Sequence, residues 1–111
     1  MRGTSYDFSS AGRVSWLEDL TSAAPGSVTG LMISNELPDA FPVHRVQQTH
    51  DGLREIFIDV KDGRFIECLR APSTAEIEAY FRRLHVQLPT GYRTEVNLHA
   101  PRWMRQVAET L

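Results

Sequence analysis

Apolar and polar positions divide the chain into stretches with different periods. Residues 31–33, Leu-Met-Ile, are apolar without a break. The chain then turns polar at Ser34, Asn35, Glu36 and Asp39, with Pro38 and Pro42 bracketing the next residues. A short apolar run closed by turn chemistry predicts a buried strand over 31–34, of the kind found in parallel sheets. From Val43 the period becomes two, and strands are expected over 43–48, 53–60 and 64–70. Asp51-Gly52 and Asp62-Gly63 separate them, a strong hairpin signal because a type I′ turn needs positive φ at both central residues. In the second strand Ile56, Ile58 and Val60 face one way, and Glu55, Phe57 and Asp59 the other. In the third, Ile66 and Cys68 alternate with Phe65, Glu67 and Leu69. Together the three strands form an antiparallel meander.

Helical spacing takes over next. Pro72-Ser73 opens a helix, with Ser73 and Glu76 in the S-x-x-E capping-box pattern. Ile77, Tyr80, Phe81 and Leu84 form one apolar stripe, and Glu78 and Arg82 an i, i+4 pair on the polar side. After the loop Pro89-Thr90-Gly91, residues 92–96 are extended. Asn97 can cap a last helix that tolerates Pro101 in its first turn, with Met104, Val107, Ala108 and Leu111 as its apolar stripe. Residues 13–24 fit either helical spacing or a short alternating strand. Residues 1–12 are expected to be a poorly ordered tail or the edge of a truncated frame, and residues 13–111 the structured part.

The length, 111 residues, suits one modest domain. With 41% hydrophobic and 23% charged residues the composition is that of a folded chain. Twelve basic residues interleave with 14 acidic ones, and a net charge of −2 gives no electrostatic case for nucleic acid or an anionic membrane. No apolar run approaches the length of a membrane span. One cysteine, Cys68, leaves no internal disulfide and fits a reducing, cytoplasmic-type compartment. In its strand it reads as a small half-buried residue rather than a nucleophile.

Few residues qualify for chemistry. His44, His50, His85 and His99 show no metal-ligand spacing, so no metal site is expected and each reads as structural or surface. Ser34 lacks the small-residue elbow of a hydrolase nucleophile. Glu36 and Asp39 stand three apart in a turn at the carboxyl end of the expected strand, where open α/β sheets bind ligands. Two carboxylates there can address one ligand, whereas Asp39 can equally serve as a turn cap.

The segment ISNELPDAFPVHRV resembles the SNE-x-x-DA-x-PV signature of the MidA-like family of S-adenosylmethionine-dependent methyltransferases. Asp51-Gly52-Leu53-Arg54-Glu55 resembles that family's hairpin. Gly91-Tyr92-Arg93-Thr94-Glu95-Val96-Asn97, followed by Ala100 and Trp103, resembles its GYR-x-E-V segment and following helix. The resemblance runs from Val14 onward. The family's glycine-rich loop, of the type GPGxG, and its later IDYG strand do not occur here, so the chain resembles the middle of such an enzyme.

The resemblance implies an α/β fold: part of a Rossmann-like methyltransferase with an inserted antiparallel meander at 43–70 and two flanking helices. It implies S-adenosylmethionine as cofactor of the complete protein, with Glu18 near its adenine and Asn35 hydrogen-bonding to the cofactor or to the substrate's guanidinium. The family includes a mitochondrial protein-arginine methyltransferase of respiratory complex I assembly, which implies a protein substrate and N-methylation of arginine. Glu36 and Asp39 then resemble the acids with which arginine methyltransferases hold a guanidinium. Such a cation, with pKa above 12, is a poor nucleophile until carboxylates fix one nitrogen and localise its charge. Glu95 and Asn97 face the substrate cleft or cap the last helix. The expected location is cytoplasmic, or mitochondrial as in eukaryotic relatives. A second reading makes the piece a non-catalytic interaction module, its meander and helices holding a partner protein or a second subunit.

Overall fold

A computed structural model of the chain describes residues 14–111. The tail expected at 1–12 lies outside the described residues. The centre of the fold is an antiparallel sheet of four strands: β1 (His44–Thr49), β2 (Gly52–Lys61), β3 (Arg64–Arg70) and β4 (Arg93–Val96). Their order is β3-β2-β1-β4. The meander expected from the period of two is present, and the GYRTEVN segment adds β4 beside β1, with His44 opposite Val96 and Gln47 opposite Arg93.

The two hairpins differ in their turns. At Asp62-Gly63, φ is +51° and +72°, and Lys61 pairs with Arg64, so the type I′ geometry is formed. At the first hairpin Thr49 pairs with Gly52, which leaves His50 and Asp51 as the loop and puts positive φ on Gly52 alone, at +113°. This corrects the expected I′ turn: only one residue needs positive φ, and it is the glycine that starts β2. A Cβ at Gly63 would meet no atom within 4 Å, so backbone conformation alone decides its replacement. We expect Gly63→Val to destabilise the fold by about 1 kcal/mol or more, read as a lower urea midpoint. An unchanged midpoint would show that the turn tolerates a β-branched residue.

One face of the sheet is covered by α1 (Glu76–Arg83). Val46, Ile77 and Val96 are fully buried there with Leu98 beside them, and Leu53, Tyr80, Phe81 and Leu88 pack against this cluster. The capping box is not formed: the Ser73 N–H donates to Glu55 Oε2 at 2.6 Å, and the Glu76 carboxylate pairs with Arg102 of the last helix. That helix, α2 (His99–Thr110), begins as expected, with Asn97 Oδ1 accepting the N–H groups of His99 (3.1 Å) and Ala100 (2.9 Å). Its far end holds the preceding chain, where Gly26 and Val28 donate to the carbonyls of Glu109 and Thr110.

The strand expected at 31–34 is not formed. These residues pair with no strand among those described, and Leu31 and Ile33 are 81% and 85% exposed. An apolar run becomes a buried strand only when neighbours supply hydrogen bonds on its edges and cover on its faces. The edge strands of the described sheet are β3 and β4, and neither pairs with residues 31–34. Likewise, of the segment 13–24, the described residues 14–24 form neither of the expected elements but a 3-10 turn at Leu20–Ser22, capped by Asp19, with Trp16 and Leu17 exposed.

Candidate functional site

The acidic turn is built in three steps. The extended run ends at Ser34, the backbone reverses through Asn35 and Glu36, and Pro38–Ala40 forms one 3-10 turn. Glu36 sits at φ +49°, a left-handed conformation that costs a side chain with a Cβ about 1 kcal/mol. Asn97 Nδ2 donates to the Pro38 carbonyl at 2.9 Å, so the residue that starts α2 also holds this turn. Phe41 completes the attachment, its ring 6.3 Å from that of His99 and edge-on to Trp103 at 6.1 Å.

The structure thus brings together Asn35, Glu36, Asp39 and Asn97. The first three are exposed, and their side chains make no hydrogen bond to another described residue. Asp39 therefore does not cap its turn, which removes the structural role weighed for it. Asn97 does cap α2 while also gripping the turn. Glu95 lies apart from them in β4, opposite Arg45, on the sheet face turned away from α1. On that face Glu67 accepts from Arg93 (2.6 Å) and Arg45 (2.9 Å), which holds its carboxyl below the ordinary range. Glu18 is exposed, two residues before the Leu20–Ser22 turn.

Beside the acidic turn runs an open groove of about 500 Å³ between the extended run and α2, with Met32, Ile33, Leu37, Trp103, Met104 and Val107 in its walls. It is apolar, and the described residues do not enclose a cradle for a nucleoside. No GPGxG loop occurs in the sequence. Glu18 and Asn35 fit one wall of a cofactor site, and these residues alone do not fit a complete one. Among the described residues there is no cluster of three His, Cys, Asp or Glu side chains able to hold a metal ion. No described helix is long and apolar enough to cross a membrane.

One polar cluster escaped the sequence reading. His44 Nδ1 lies 2.6 Å from Glu55 Oε1, and Glu55 is only 5% exposed. Burial pushes the Glu55 carboxyl up, but hydrogen bonds from Ser73 and His44 outweigh it and hold the group below its ordinary value. The available signal was the alternation itself, which puts an acid between Leu53 and Phe57 on one strand face.

Comparison with known proteins assigns the chain. A family model for S-adenosyl-L-methionine-dependent methyltransferases, Methyltransf_28, matches residues 5–111. The mitochondrial protein arginine methyltransferase NDUFAF7 of Mus musculus is 38% identical over 82 residues, which are 68% of this chain and 18% of that protein. The Homo sapiens protein of that name is 34% identical over the same shares. A COG1565 superfamily member from Burkholderia thailandensis, crystallised with S-adenosyl-homocysteine, superposes with a TM-score of 0.65 at 31% identity, over 86% of this chain and 23% of that one. The chain thus spans about a fifth of the length of the relatives it matches, and its four-stranded sheet with two helices is part of an α/β methyltransferase fold. The signature around Glu36, the sheet that follows it and these matches agree: the chain belongs to the S-adenosyl-L-methionine-dependent methyltransferase family.

Proposed function

We propose that this segment is the substrate-side part of an S-adenosylmethionine-dependent methyltransferase that methylates arginine in a protein. The observation that carries the reading is the turn at Glu36: an acid held at φ +49°, beside a second free carboxylate, pinned by Asn97 and Phe41 to α2. Residues held in sparsely populated backbone regions gather at functional sites. Glu36 and Asp39 hold the guanidinium, Asn97 fixes the turn that carries them, and Glu18 and Asn35 border the cofactor. Within the complete enzyme, residues 31–34 become a strand of a Rossmann-like parallel sheet whose other strands lie elsewhere. Leu31 and Ile33 are then buried, and β1, β2 and β3 are the inserted meander. The relatives named NDUFAF7 are mitochondrial arginine methyltransferases, which supports a protein substrate and a mitochondrial or cytoplasmic setting.

The expected result for the 111-residue chain alone is no measurable affinity for S-adenosylmethionine by calorimetry, since the backbone approach of a glycine-rich loop is missing. The complete enzyme binds the cofactor and transfers a labelled methyl group to arginine. Micromolar binding by the 111-residue chain would overturn the division of the site, and a complete protein without transfer would overturn the function. The second reading, an interaction module for a partner protein or a second copy of the chain, is favoured by one feature. Ile58, Val60 and Phe65 of the β2–β3 hairpin are 57%, 60% and 83% exposed on one face. Cofactor binding by the complete protein separates the two.

A further inference from the structure

Away from the acidic turn, the most organised polar groups are His44, Glu55 and Ser73. Glu55 lies opposite Val46 on the sheet face that α1 covers, and it is 5% exposed. Both its oxygens are engaged: Oε1 with His44 Nδ1 at 2.6 Å, and Oε2 with the Ser73 N–H at 2.6 Å. An ionised carboxylate can only accept, so the proton of this bond belongs to Nδ1. In the neutral ring the lone pair is then on Nε2. Among the described residues Nε2 has no hydrogen-bond partner, and the His44 side chain is 29% exposed. An acid buried this deeply is costly unless paired. Set behind a histidine with a free nitrogen, it stabilises the imidazolium that forms when Nε2 takes a proton.

The position agrees with that use. His44 starts β1 four residues after Ala40, and it faces Val96 across the sheet. The next residue, Asn97, holds the Pro38 carbonyl. Thus His44 and the turn with Glu36 and Asp39 share one end of the sheet. We propose that His44 Nε2 is the acceptor of the proton released from the substrate guanidinium, with Glu55 as its positioning residue. The role rests on the arginine reading above. An arginine that exchanges an N–H hydrogen for a methyl group releases one proton. The N–H bond breaks, its electron pair stays on nitrogen, and the proton bonds to Nε2. The imidazolium is balanced by Glu55 until it passes the proton to water. Glu36 and Asp39 keep the guanidinium in place, and His44 removes the proton.

The test has two arms. In the 111-residue chain, nitrogen-15 NMR should find neutral His44 as the Nδ1–H tautomer, and Glu55→Gln should shift it toward the Nε2–H form that free histidine side chains prefer. In the complete enzyme, His44→Ala should lower kcat about a hundredfold with little change in the KM for cofactor, and added imidazole should restore part of the rate. Glu55→Gln should lower kcat without rescue. An Nε2–H tautomer in the unsubstituted chain, an unchanged kcat in His44→Ala, or a loss that imidazole does not restore overturns the proposal. If the unsubstituted enzyme transfers no methyl group to arginine, the reading beneath it falls and this role with it. The first arm keeps that failure distinct, because the tautomer does not depend on turnover.

Discussion

Glu36→Gln in the complete enzyme is expected to lower kcat/KM for the protein substrate by about two orders of magnitude. The substitution keeps size and one acceptor oxygen but removes the charge. A charge-assisted, two-point contact to guanidinium is about twice as strong as a neutral one, and losing it in a partly desolvated site costs about 3 kcal/mol of transition-state binding. With Glu36 on the substrate side, as proposed, cofactor affinity should change little; it should fall sharply if Glu36 faces the cofactor. Asp39→Asn should have a smaller effect, since its carboxylate lies on the 3-10 turn rather than at the reversal. Glu36→Gly separates charge from backbone: glycine suits φ +49°, so stability should stay within about 1 kcal/mol of the parent while transfer is lost. The assay is methyl transfer from labelled cofactor to a protein acceptor beside a cofactor titration. Wild-type turnover in Glu36→Gln would take the carboxylate out of the mechanism.

Ile77→Ala should cost about 2–4 kcal/mol, the largest single effect expected on stability. Ile77 is 0% exposed and joins α1 to Val46 of β1 and Val96 of β4. Five buried hydrophobic residues are described: Val46, Ile56, Ile77, Val96 and Leu98. A core this small has few side chains able to close a cavity left by one of them, and total stabilities of domains are only about 5–15 kcal/mol. Chemical unfolding of the variant checks it, with Met104→Ala as control. Met104 is 57% exposed on α2, and its truncation should stay within about 0.5 kcal/mol. Equal losses in the two variants would mean that α1 does not carry the core.

Much of the candidate site was legible because it is local. The apolar run, the turn residues and the two acids stand within nine positions, and Asn97 could be read as a helix cap from its place before His99-Ala100-Pro101. Its second bond, to the Pro38 carbonyl, spans 59 positions and has no local signature. The same holds for Glu55. Alternation put it on one strand face with Phe57, but which face meets a helix depends on where α1 lands, and no residue of β2 records that. His44 was therefore set aside as structural, although its partner lies only 11 positions away.

By itself the sequence determined the meander, the type I′ turn at Asp62-Gly63, the stripe that starts with Ile77 and the beginning of α2. Each follows from a period or a turn residue acting over a few positions. Tertiary structure alone decided three other matters. The capping box failed because Glu55 offered the Ser73 N–H a buried carboxylate. The first hairpin shifted by one residue because the register of β1 on β2 pairs Thr49 with Gly52. The apolar run at 31–34 stayed unpaired because strand formation depends on neighbours as much as on hydrophobicity, and neither edge strand of the described sheet, β3 or β4, lies beside it.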